Sequence, residues 1–194
     1  MEDENQPLKP TDAESAPKKP PVATIVLGLD PGLSITGYGV IGSRGNQPVL
    51  IEAGILRMAS NRSLAERLRE LHEGVTEILQ SLPISCVAIE QLYSHYERPR
   101  TAILMGHARG VLCLAAAQAG LTVDSYEATK VKRLLTGSGR APKSQMQHAI
   151  QSQLGLKEPP DPPDVADALA VALCHYFSQS LHAQLQLPRT RKKN

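Results

Sequence analysis

The sequence predicts an α/β fold: a mixed five-stranded sheet, an antiparallel meander extended by parallel strands, flanked by helices. Three observations lead there. β-rich apolar runs at hairpin spacing open the apolar part of the chain. Two later short strands are separated by longer stretches of helical periodicity. At 194 residues there is room for one domain with a sizeable core, and little room for two.

Residues 22–30 form the first β-rich run. Residues 34–41 and 49–58 follow, broken by Gly32 and by Arg44-Gly-Asn-Gln-Pro48, which gives a three-stranded meander. Ser63-Leu-Ala-Glu66 then has the pattern of a capping box. Behind it Leu64, Leu68, Leu71, Val75, Ile78, Leu79 and Leu82 recur at helical spacing, so one face of this helix packs on a sheet. Residues 85–91 read as a short buried strand ending in an isolated acid, Glu90. Residues 101–119 are helical and apolar or small nearly all round, as expected of a helix buried in the core or against a second subunit. A strand over 121–126 precedes helices over 128–135 and 143–154. Asp161-Pro-Pro-Asp164 opens a last apolar helix running to about Leu181, with Asp161 as N-cap and Pro162 in the first helical position.

Composition divides the chain into a polar extension over residues 1–21, a folded domain over 22–183 and a basic flexible tail over 184–194. The extension is Pro-, Glu- and Lys-rich, and its first fourteen residues hold five acids against one Lys. Cys86, Cys113 and Cys174 are scattered in apolar runs without a Cys-x-x-Cys, which points to reduced core thiols and not to zinc or disulfides. No apolar run approaches the ~20 residues of a membrane span, and the acidic N-terminus argues against a signal or transit peptide. The expectation is a cytoplasmic protein with no membrane contact. Net charge is only +2, yet Ala128 to Lys157 holds six basic residues and no acid. A local basic face on a near-neutral protein implies an anionic partner held in position.

Four acids stand apart from any basic neighbour in sequence. Asp30 and Glu90 end apolar strands, where open α/β sheets place their sites. Asp164 and Asp167, three residues apart, share one face at the start of the last helix. Each has a structural explanation alone: a turn at Asp30-Pro-Gly, an ion pair between Glu90 and Arg98 or Arg100, or helix-dipole stabilisation for the aspartates. Together they form an oxygen-only donor set, which suits Mg²⁺ or Mn²⁺ and not zinc. Two such ions ~4 Å apart catalyse phosphodiester hydrolysis, a chemistry that also needs the phosphate-positioning Lys and Arg nearby.

Five segments in order resemble the RuvC family of bacterial Holliday junction resolvases. They are Gly28-Leu-Asp-Pro-Gly-Leu-Ser-Ile-Thr-Gly-Tyr-Gly-Val40, Ala88-Ile-Glu-Gln91, Gly106-His-Ala-Arg-Gly-Val111, Gly137-Ser-Gly-Arg-Ala-Pro-Lys-Ser-Gln145 and Asp164-Val-Ala-Asp-Ala-Leu-Ala170. The resemblance covers residues 22 to 180 and implies an RNase H-like fold. It further implies a homodimer that nicks two opposed strands of four-way junction DNA in recombination and repair, leaving a 5′-phosphate and a 3′-hydroxyl. Asp30, Glu90, Asp164 and Asp167 fall on the family's catalytic, metal-binding acids, implying two Mg²⁺ per subunit with Mn²⁺ as substitute. Lys132 and Lys143 fall on its catalytic basic residues. Tyr93 falls where the family carries an aromatic, often Phe, that acts at the opened bases, and a phenol stacks as a phenyl ring does. Lys130, Arg133, Arg140, Arg98 and Arg100 are the further DNA-binding candidates, and the RuvA–RuvB branch-migration complex is the implied partner. His107 stands where Gln or Glu is common in the family and is read as a packing or interface residue. The glycines after Asp30 are expected to keep that strand end slender for an approaching DNA backbone.

Three other readings compete. An RNase H-like nuclease acting on RNA or another branched nucleic acid needs the same acids. An actin-like or sugar-kinase-like ATPase also carries Asp-x-Gly after a first strand, but requires two such domains. A non-catalytic DNA-binding module gains nothing from carboxylates facing phosphates.

Overall fold

Five strands and five helices make up residues 24–92 and 99–186, the residues described by the computed structural model. The chain opens with β1 (Val26–Asp30), β2 (Ile35–Arg44) and β3 (Gln47–Arg57). It continues through α1 (Leu64–Ser81), β4 (Cys86–Glu90), α2 (Pro99–Gln118) and β5 (Val123–Tyr126). Three helices close it: α3 (Ala128–Thr136), α4 (Lys143–Leu154) and α5 (Pro163–Gln186). The strand order is β3-β2-β1-β4-β5. β1 and β3 flank β2 antiparallel, while β4 lies parallel to both β1 and β5, so the mixed five-stranded sheet is as expected.

The hairpin between β2 and β3 is tighter than the break predicted over residues 44–48. Both strands run on to Arg44 and Gln47, and only Gly45 and Asn46 turn, with Gly45 in the left-handed region at φ 61°. Pro48 is tolerated inside the ladder opposite Ser43 because β3 is an edge strand.

Both sheet faces are covered, which is why the central strands are apolar on both sides. Leu27, Leu29, Val87 and Ile89 pack against Leu71, Val75, Ala108 and Leu112 of α1 and α2. On the other face Val26 and Ala88 meet Val165, Leu169, Ala172 and Leu173 of α5, with α3 and α4 outside it. α1 begins with the predicted capping box: Ser63 Oγ accepts from the Glu66 amide, and Glu66 accepts from the Ser63 amide. This caps two otherwise orphaned amides.

One expectation is corrected. α5 starts at Pro163, and Asp161 is not its N-cap. Pro162 is the last non-helical residue, its carbonyl accepting from the Val165 amide, and the Asp161–Pro162 peptide is cis. A proline biases the residue before it away from helical backbone, so consecutive prolines move the start one place on. Within the chain α2 is buried at Ala108, Leu112, Ala115 and Ala116, the core part of the expectation, while Ile103 and Leu114 are 60% and 53% exposed. Its uniform apolarity thus covers one core face and one surface face.

Candidate active site

β1 and β4 run parallel and adjacent, with Leu29 opposite Ile89 as the last registered pair. The next residues, Asp30 and Glu90, therefore leave the sheet side by side at its C-terminal edge. α5 crosses the same sheet and brings Asp164 and Asp167 over them from its first turns. Glycines make this approach possible. A methyl group at Gly37 of β2 would overlap the carbonyl oxygen of Asp164, and one at Gly28 would overlap that of Ala168. The strand glycine Gly37 is therefore a seat for α5.

α3 and α4 supply the opposite wall. Glu90, Asp167, Lys132 and Lys143 line one cleft of about 320 Å³, together with the apolar side chains of Val131 and Met146. The electrostatics record the convergence. Burial, then the charges of Glu90, Asp167 and Asp164, push the Asp30 carboxyl up to about 8, with Lys143 pulling it down. Burial and Asp167 raise Glu90, opposed by Lys132. Burial raises Asp167, aided by Asp164 and opposed by Lys143 and Lys132. The six residues expected from sequence to carry the chemistry thus act on one another across five elements: β1, β4, α5, α3 and α4.

Crowded carboxylates with raised proton affinity need positive charge, and two lysines do not balance four acids. The donors are all oxygen, the set a hard divalent cation takes. Among the described residues, no three His, Cys, Asp or Glu side chains are closed into a finished ion cage. The residues present fit a divalent ion by chemistry and charge.

The remaining candidates lie around this core. Lys130 and Arg133 line a polar depression with Gln91, Ser125 and Thr129 beside the cleft. Lys130 Nζ sits 5.0 Å from the centroid of the Tyr126 ring, a cation–π distance. Arg140 is exposed in the loop before α4, and Arg100 is exposed in the first turn of α2. Tyr93 and Arg98 lie outside the described residues. All three cysteines are free, Cys86 and Cys174 being buried, and His107 is exposed on α2. Sequence reasoning passed over His175, which is 2% exposed. Its Nδ1 hydrogen-bonds with the Tyr126 hydroxyl at 3.0 Å, and its Nε2 lies 3.2 Å from Cys86 Sγ, tying α5 to β4 and β5. Its one signal was a histidine inside the uniformly apolar run of α5.

Known proteins resemble the chain in sequence and in fold. The family model described as crossover junction endodeoxyribonuclease RuvC matches residues 26–175. A protein of that name from Rhodopirellula baltica is 53% identical over 163 residues, spanning 84% of this chain and 92% of its own length. The solved structure of Thermus thermophilus RuvC superposes with a TM-score of 0.76 at 33% identity, covering 82% of this chain and 97% of that one. The same protein in complex with Holliday junction substrate gives 0.77 at 32% identity, covering 82% and 96%.

Proposed function

The chain belongs to the RuvC family of crossover junction endodeoxyribonucleases, and from that premise we propose that it resolves four-way DNA junctions by two symmetric nicks in recombination and repair. The observation that carries this reading is the gathering of four carboxylates from β1, β4 and α5 at one sheet edge, with Lys132 and Lys143 facing them. The nuclease unit is residues 22–183.

Asp30, Glu90, Asp164 and Asp167 would hold two Mg²⁺, for which Mn²⁺ would substitute. Bound there, such ions would activate water toward phosphorus and offset the charge on the departing 3′-oxygen. Lys143 and Lys132 place positive charge beside the scissile phosphate, where charge develops as the bond breaks. The half-buried setting of Asp30 and Glu90 lowers the local dielectric and strengthens both effects. Lys130, Arg133, Arg140, Arg98 and Arg100 hold the phosphate backbone, which orients the strand without reading its bases. Tyr93 stacks on a base opened at the crossover.

A homodimer supplies the second nick, since a two-fold axis sets identical sites against the two equivalent strands of a junction. The exposed face of α2 is the contact we assign to it. Ile103 and Leu114 present apolar surface there, and a Cβ at Gly106 or Gly110 would meet nothing within 4 Å, so a second helix can approach closely. The RuvA–RuvB complex delivers the junction in the cytoplasm. No helix among the described residues is long and apolar enough to cross a membrane.

The test is an end-labelled synthetic four-way junction incubated with the protein and Mg²⁺, beside linear duplex and RNA–DNA hybrid controls. Paired nicks at symmetric positions, leaving 5′-phosphates, are expected on the junction alone. Equal cutting of the hybrid or the duplex would replace junction resolution with a more general RNase H-like activity.

A further inference from the structure

Glu90 stands where β4 leaves the sheet. The registered pairing of β4 with β1 ends at Ile89, one residue earlier. On the other side the Glu90 peptide is still tied to β5, through the Gln91 amide donating to the Tyr126 carbonyl at 2.9 Å. The Glu90 carbonyl, at the edge of the ladder, still needs a donor. That donor comes from α2. Arg109 is half-buried, its Nε donates to the Glu90 carbonyl at 3.4 Å, and its Nη2 donates to Ser125 Oγ of β5 at 2.6 Å. One planar guanidinium thus joins the C-terminal ends of β4 and β5 at the point where the Glu90 side chain enters the cleft.

We infer that Arg109 is a positioning residue for Glu90: it fixes the backbone from which that carboxylate reaches the proposed ions, and it does so through a fork that a point charge does not replace. This rests on the reading of Glu90 as a metal-binding residue. The fork matters because guanidinium donors are coplanar and fixed relative to one another, whereas a lysine ammonium is a single rotatable donor group. The Arg109 contact is with the Glu90 carbonyl and not with its carboxylate, so Arg109 acts on the backbone that carries the side chain. Gly106 and Gly110 flank Arg109 on the open side of α2. The helix that carries this fork is thus also the one whose outer face we assign to the second subunit, and the seat of α2 and the place of Glu90 are mechanically joined.

The experiment compares wild type, R109A, R109K, S125A and E90Q as full chains. Four quantities are read: single-turnover junction cleavage, Mg²⁺ affinity by calorimetry without DNA, junction affinity without metal, and hydrogen exchange at the Gln91 amide. Removing partners that orient metal ligands changes affinity or rate by about 10–100-fold. R109A is expected to weaken Mg²⁺ binding and slow cleavage within that range, to speed Gln91 exchange, and to leave metal-free junction affinity within about twofold. R109K should recover less than half of the loss, and S125A should shift the same quantities in the same direction by less. Unchanged Mg²⁺ affinity and Gln91 exchange in R109A would overturn the inference, as would a fall in metal-free junction affinity that matches the fall in rate. Full recovery by R109K would also overturn it, leaving a role for charge alone. If R109A does not fold, S125A decides: unchanged Mg²⁺ affinity there overturns the inference. E90Q separates the two levels, because retained cleavage in E90Q removes Glu90 from the site whatever Arg109 does.

Discussion

Asp30 holds its proton to about pH 8 because burial disfavours the carboxylate and Glu90, Asp167 and Asp164 add to that penalty. The sign of the linked stability follows. In the unfolded chain the same group titrates near 3.8, so between these values the folded state binds more protons, and ionisation works against folding. The contribution of Asp30 is greatest below pH 3.8 and is lost as pH rises through about 8. D30N removes the ionisable group. Without divalent ions the variant should melt higher than wild type at pH 8, with the gap closing towards pH 4, and added Mg²⁺ should raise the melting temperature of wild type more than that of D30N. Junction cleavage should vanish in D30N while metal-free junction binding stays equal or tightens, since one negative charge facing phosphate is gone. Thermal melts across pH and gel-shift binding check both statements, and a D30N protein that folds normally but no longer binds junction would remove Asp30 from a purely catalytic role.

At the scale of elements, the distance between α5 and the sheet decides whether the acids meet. The first strands of the meander are glycine-rich on the side facing α5, and at Gly37 the fit is close enough that any side chain would displace the backbone of Asp164. Overpacking of this kind costs about 1–3 kcal/mol. G37A should therefore lose stability of that order in a denaturant melt, and it should lose cleavage more steeply than its remaining folded fraction accounts for, because Asp164 moves with the helix. Cleavage falling only in proportion to folded protein would show that α5 has slack at this point. The later start of α5 fits the same picture: the proline pair sets the helix to begin at Pro163, immediately before Asp164, so the first aspartate sits in the first turn.

For the whole molecule, the two covered sheet faces leave α2 with an apolar surface that the chain itself does not bury. Ile103 and Leu114 lie there at 60% and 53% exposure, and large apolar side chains grouped on an otherwise open helix face mark an interaction surface. L114E places a charge in the proposed two-fold contact. Wild type should sediment as a dimer at micromolar concentration and L114E as a monomer, with the two nicks of a junction becoming uncoupled in time while folding stays intact. A wild-type chain that remains monomeric with junction bound would refute the two-site model. Arg109 lies on the inner side of the same helix, so an L114E monomer should also show weakened Mg²⁺ binding if the α2 seat and Glu90 are joined as inferred.

The sequence by itself determined the strand and helix order, the capping box at Ser63, the placing of Asp30 and Glu90 at strand ends, and the helical spacing that puts Asp164 and Asp167 on one face. All of these are local: they depend on period, on turn chemistry and on residues a few places apart, and such terms are written directly into the chain. Only the tertiary structure decided what the glycines of β1 and β2 are for, that α2 keeps an open face, that His175 joins three elements, and that Arg109 reaches Glu90 from 19 residues away. Each of these is a close approach between segments distant in sequence, where a missing methyl or one planar side chain matters only once packing has brought its partner near. Asp30 and Glu90 stood out in the sequence because charge at the end of an apolar strand is costly, and the four acids were singled out as a set with the segments that resemble the RuvC family. The groups that hold them in place did not, because a glycine or an arginine carries no sign of its partner until the chain is folded.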